Sequence, residues 1–126
     1  MMGEVLLCEV DLDALVEREV PSPRRVSRFP PAIRDLAIVV PETAEAGHIL
    51  SGIREFATGN PALVTLQHVR LFDEYRGKGL ENKEKSLAFR FWMQDTDRTL
   101  ADADVEATMA AIIGFLADRF GANLRR

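Results

Sequence analysis

Ser86-Leu87-Ala88-Phe89-Arg90-Phe91-Trp92-Met93-Gln94 alternates without a break. Successive side chains of a strand point to opposite faces, so Leu87, Phe89, Phe91 and Met93 share one side and Ala88, Arg90 and Trp92 the other. Working outward from it, residues 76–83 (Arg76-Gly77-Lys78-Gly79-Leu80-Glu81-Asn82-Lys83) form a polar, glycine-bearing turn. Before that turn, residues 63–75 contain a second strand in which Leu66, His68, Arg70 and Phe72 alternate with Val69 and Leu71. Phe72 is expected in the core. The two strands and their turn make a hairpin.

The flanks supply helices. Ala46, Ile49, Leu50, Ile53 and Ala57 recur on one helical face, which ends near Gly59-Asn60-Pro61. Val105, Met109, Ile112, Ile113, Leu116 and Phe120 do the same, with Gly121 placed to cap the end. Leu36-Ala37-Ile38-Val39-Val40 reads as a strand stopped by Pro41, and residues 122–126 as a short closing strand. The order β-α-β-β-α-β predicts an α+β fold: a ferredoxin-like sandwich with a four-stranded antiparallel sheet, order 4-1-3-2, and both helices on one face. A doubly wound α/β fold needs more crossovers than 126 residues hold.

Four of six prolines (Pro21, Pro23, Pro30 and Pro31) fall in a window that forbids helix, so residues 20–31 read as a linker and 32–126 as the folded domain. Upstream, Val5-Leu6-Leu7-Cys8-Glu9-Val10 reads as a mostly buried strand and residues 11–17 as a short helix. One strand and two helical turns cannot bury their own apolar side. Residues 1–19 therefore read as the tail end of another domain.

The chain is one domain's worth, with 47% apolar and 29% charged residues. No apolar run reaches the roughly 18–20 residues of a membrane span. Its single cysteine, Cys8, excludes an internal disulfide and fits a reducing compartment, so a cytoplasmic location is expected. The net charge of −4 is uneven: residues 1–23 hold six of the 20 acids and one of the 16 bases, which leaves residues 24–126 at +1. That argues against indiscriminate nucleic-acid binding while leaving room for a local phosphate-binding face. Neither DNA nor a membrane is expected as a partner.

Catalytic chemistry has little to stand on. Cys8, His48 and His68 share no metal-ligand spacing. The Asp-x-Asp pairs at 11/13, 95/97 and 102/104 suit helix starts and turns. Gly77-Lys78-Gly79 lacks the strand–loop–helix context of a phosphate loop. No catalytic, metal or cofactor site is expected in this segment. What remains is Arg70, Tyr75, Arg76, Lys78, Lys83, Lys85, Arg90 and Trp92 around one hairpin. Aromatics and bases on a sheet can stack unpaired nucleotides and neutralise phosphates. The competing reading makes Trp92 and the phenylalanines core and the bases a solvated edge; composition alone favours it.

Five landmarks now appear in order: Ser27-Arg28-Phe29-Pro30-Pro31-Ala32-Ile33-Arg34-Asp35-Leu36-Ala37; Val69-Arg70-Leu71-Phe72-Asp73-Glu74-Tyr75-Arg76-Gly77; Lys85-Ser86-Leu87-Ala88-Phe89-Arg90; Arg98-Thr99-Leu100; and Arg119-Phe120-Gly121-Ala122-Asn123-Leu124-Arg125. Together they make residues 27–126 resemble the C-terminal, ferredoxin-fold anticodon-binding domain of the bacterial phenylalanyl-tRNA synthetase beta subunit. The resemblance implies tRNA(Phe) as partner and a place in an α₂β₂ heterotetramer with the alpha subunit, which holds the catalytic centre. It implies ATP and magnesium as needs of the parent enzyme, not of this segment. It adds Arg28 and Arg34 to the RNA-binding candidates, and makes residues 4–16 the last strand and helix of a preceding beta-subunit domain, so that the chain is a piece of a longer protein. Where the family tends to place a threonine that caps the second helix, Ala101 stands here, so Asp102 is expected to take the cap. The alternatives are a ligand-sensing or dimerisation module of the same fold, and a small ferredoxin-fold hydrolase, for which Pro41-Glu42-Thr43-Ala44 offers no arginine-bearing phosphate loop.

Overall fold

The computed structural model describes residues 3–23, 26–77, 79–80 and 83–125. Its elements are α1 (Leu12–Val16), β1 (Ala32–Pro41), α2 (Ala46–Ala57), a 3₁₀ turn (Pro61–Leu63), β2 (Leu66–Tyr75), β3 (Glu84–Met93), α3 (Asp102–Phe120) and β4 (Asn123–Leu124). The four strands form one antiparallel sheet in the order β2-β3-β1-β4. This is the expected ferredoxin-like arrangement, with β1 and β3 in the centre.

The alternation of β3 explains why. Leu87, Phe89, Phe91 and Met93 are all fully buried against the helices. Opposite them in register stand Ile38 and Leu36 of β1 and Val69 and Leu71 of β2. Ile49 and Ile53 of α2, with Val105, Ile112 and Leu116 of α3, close this core from the other side. Each fully buried side chain of this size contributes roughly 1.5–3 kcal/mol relative to exposure. Gly52 lets α2 approach the end of α3: a Cβ there would meet the Phe120 ring at 3.0 Å.

Four expectations need correcting. Residues 5–10 form no strand, and Val5, Leu6 and Leu7 are exposed. An apolar run becomes a strand only beside a hydrogen-bonding neighbour, and no segment described here lies alongside it. The first strand of the sheet begins at Ala32, earlier than its apolar run, because all ten of its residues pair with β3. Asp102 does not cap α3. Ala101 is the N-cap residue, and Asp104 reaches back to accept from its amide at 3.1 Å while Arg98 donates to the same oxygen at 2.7 Å. Gly121 does cap the other end, at φ +63°. The fourth correction is Phe72, which lies outside the core with 46% of its surface exposed.

Candidate nucleic-acid interface

Helices cover one side of the sheet. The other side is open, and two irregularities in β2 decide what stands on it. Between Leu66 and His68, and again between Leu71 and Asp73, β2 carries one more residue than β3 opposite. Each extra residue inverts the alternation that follows. Leu66, Val69 and Leu71 oppose the inward Met93, Phe91 and Phe89, whereas His68, Arg70, Asp73 and Tyr75 oppose the outward Trp92, Arg90, Ala88 and Ser86. Without the second bulge, Tyr75 would share Leu71's face.

Three rows of rings and guanidinium groups result. The His68 and Trp92 rings lie 5.1 Å apart, beside the half-exposed Ile33 of β1. In the middle row, the Arg90 guanidinium stands 4.8 Å from the centre of the Phe72 ring. Arg90 also donates to Asp35 of β1 through Nε (2.8 Å) and Nη2 (3.0 Å). That charged hydrogen bond holds the Asp35 carboxyl below its ordinary value, with the nearby positive charge adding to it. In the third row, Arg125 crosses from the end of β4 to stand 4.5 Å over the Tyr75 ring. Ser86, which lies between Tyr75 and Val39 in the register, is only 3% exposed.

The hairpin bases do not form one cluster. Arg70, Arg90, Tyr75 and Trp92 belong to the open face. Lys85 opposes the inward Val40, is 7% exposed, and holds its Nζ 3.9 Å from Glu74 on the helix side. Its long apolar stem packs while the ammonium reaches the edge. Arg76 is paired twice, with Glu42 and with Glu74, the latter at 2.9 Å. Lys83 is exposed in the turn at φ +73°, and its carbonyl accepts from the Glu42 amide. Lys78 lies outside the described residues.

Arg28 and Arg34 lie at the opposite end of the sheet. Arg28 is exposed in a segment pinned to the end of β3, where the Ser27 hydroxyl donates to the Asp95 carbonyl at 2.6 Å. Arg34 donates to the carbonyl of Ile33 at 2.9 Å. Among the described residues Arg70 makes no ion pair, and Arg90 is its neighbour across the ladder. Asp35, Phe72 and Arg125 were not singled out from the sequence as site residues. Phe72 already shared its alternation with His68 and Arg70, which was a readable sign of its face.

A family profile described as "Ferredoxin-fold anticodon binding domain" matches residues 27–125. The chain belongs to this family. It is 40% identical over 121 residues to the phenylalanine–tRNA ligase beta subunit of Nitrosospira multiformis, covering 96% of this chain and 15% of that protein. It is 44% identical over 117 residues to the subunit of the same name from Dechloromonas aromatica, covering 93% of this chain and 14% of that protein. The corresponding figures for Mannheimia succiniciproducens are 40% over 123 residues, 98% and 15%. The chain thus spans about a seventh of the length of these relatives. In this chain the sheet has a clear division: the helix side is the core, and the open side carries the rings of His68, Phe72, Tyr75 and Trp92. Among the described residues, no helix is long and apolar enough to cross a membrane, and no group of three or more His, Cys, Asp or Glu could hold a metal ion.

Proposed function

We propose that this chain is the anticodon-binding portion of a phenylalanine–tRNA ligase beta subunit and holds tRNA(Phe) by unpaired bases on the open face of its sheet. The observation that carries the reading is the family match over 27–125 together with the rings of Tyr75, Phe72, Trp92 and His68 on one uncovered surface. Every base presents a flat face, so such rings can hold single-stranded nucleotides. The parent enzyme works in the cytoplasm as an α₂β₂ assembly with the alpha subunit. It joins phenylalanine to tRNA with ATP and magnesium. The segment holds no cofactor of its own and does no chemistry. Residues 1–19, with their exposed leucines and valines, belong to a preceding domain of that subunit.

Titration of labelled tRNA(Phe) with the chain tests this, beside a tRNA differing only in its anticodon loop. Tighter binding to tRNA(Phe), with no phenylalanine-dependent ATP–pyrophosphate exchange, is the expected result. Equal affinity for the two RNAs would sink the anticodon reading, and exchange by the pure chain would sink the non-catalytic one.

A further inference from the structure

Arg90 sits at the centre of the open face, where an RNA-binding surface would ordinarily use its charge on a phosphate. Here that charge is already engaged. Asp35 takes Nε and Nη2 side-on, at 2.8 and 3.0 Å, and the guanidinium plane is stationed over Phe72. A side-on pair of this kind fixes the plane of a guanidinium as well as its position. The surroundings also disfavour phosphate. Arg70, Arg90 and Arg125 share the face with Asp35 and Asp73, and Glu84 follows the same alternation at its hairpin end. Arginines and carboxylates balance. A surface with that charge attracts a double-stranded backbone poorly, but it presents flat groups that a base can cover.

We infer that Asp35 is a positioning residue for RNA: by holding Arg90 against Phe72 it withdraws Arg90 from phosphate contact and makes the pair a platform for one unpaired base. This rests on the proposed reading of the open face as the RNA site. Asp35 itself need not touch the nucleotide. Its effect is on the kind of contact Arg90 makes, and so on the preference for unpaired bases over duplex.

The test is a titration of the 126-residue chain with an RNA stem–loop and with the same stem closed as a blunt duplex, at several salt concentrations. Asp35→Asn releases the guanidinium. Stem–loop affinity should fall about tenfold, as expected for a weakened stacking contact. The log–log salt slope should steepen by about 0.7, the value for one phosphate newly met on a single strand. The preference for the stem–loop should shrink. Phe72→Ala removes the platform with the clamp intact, so affinity should fall similarly with an unchanged slope. Asp35→Glu, which keeps a carboxylate within reach, should restore the parent slope. A purely structural role would lower affinity in Asp35→Asn without moving the slope, and that result overturns the inference, as does parental binding by either Asp35→Asn or Phe72→Ala. No binding of the stem–loop by the parent chain would overturn the reading of the open face itself, and the inference with it.

Discussion

Replacing Lys85 by alanine should destabilise the domain by about 2 kcal/mol, through lost packing and not lost charge. The side chain is 9% exposed and lies on the helix side of the sheet. Truncation to the Cβ removes three methylenes, each worth about 0.8 kcal/mol when buried. The ammonium stands 3.9 Å from a Glu74 carboxylate that is itself 43% exposed, and half-exposed pairs of that kind contribute about 0–1 kcal/mol. Packing therefore outweighs the ion pair. Lys85→Met separates the two, since it fills the same channel without a charge and should stay within about 0.5 kcal/mol of the parent. Urea unfolding can be followed by the fluorescence of Trp92, the only tryptophan. For a domain of this size, 2 kcal/mol corresponds to a fall in Tm of about 10 °C. If Lys85→Met proves as unstable as Lys85→Ala, the charge matters and the argument fails. If Lys85→Ala unfolds with the parent, the stem is not packed as described.

Two further outcomes follow from the ends of α3. Gly121→Ala places a Cβ in the left-handed region at φ +63°, and should cost about 1–2 kcal/mol in the same urea titration even though no atom stands in its way; an unchanged midpoint would show that the turn relaxes. The Asp104 carboxyl is held below its ordinary value, first by its hydrogen bond from Arg98 and then by the one from the Ala101 amide. A lowered folded-state value means stability that is present above the unfolded value near 4 and lost as pH falls through the folded one. Asp104→Asn should therefore be less stable than the parent at neutral pH, with the gap closing as pH falls to about 2; a gap that stays constant would show that ionisation of Asp104 plays no part.

Residues 87–93 could be read directly because every inward position is large and apolar and none of the outward ones needs burial. Ala32 to Asp35 could not, because at the open end of a sheet neither face is fully covered and the alternation fades: Ile33 and Arg34 are both exposed. The bulge at Phe72 was invisible for a different reason. It changes no residue type; it changes the phase of those that follow, and only the partner strand reveals that Glu74 faces Leu87 and Tyr75 faces Ser86. The split of the bases near the turn has a different origin: Lys85 shares the inward parity of Leu87 and Phe89 in β3, whereas Arg70 stands opposite the outward Arg90. Lys85 adds a second cause: a lysine's charge predicts where its tip goes, not where its stem lies. Arg125 could not have been assigned to Tyr75 without the sheet order, since the two meet only because β4 closes the far edge, with two strands between it and β2.

The two extra residues in β2 also bear on how the molecule meets its own kind in a concentrated solution. β2 is an outer strand, and an outer strand with regular, free amide and carbonyl groups invites a neighbouring molecule to extend the sheet. Bulges bend and twist such a strand, so a second flat ladder cannot lie along its whole length. The opposite margin lacks that protection: β4 pairs with β1 only at Ile38 and Val39, leaving the stretch from Ala32 without a strand on that side. Self-association at high concentration should therefore begin along β1, and a charged residue at Ile33 should suppress it more effectively than any change on β2.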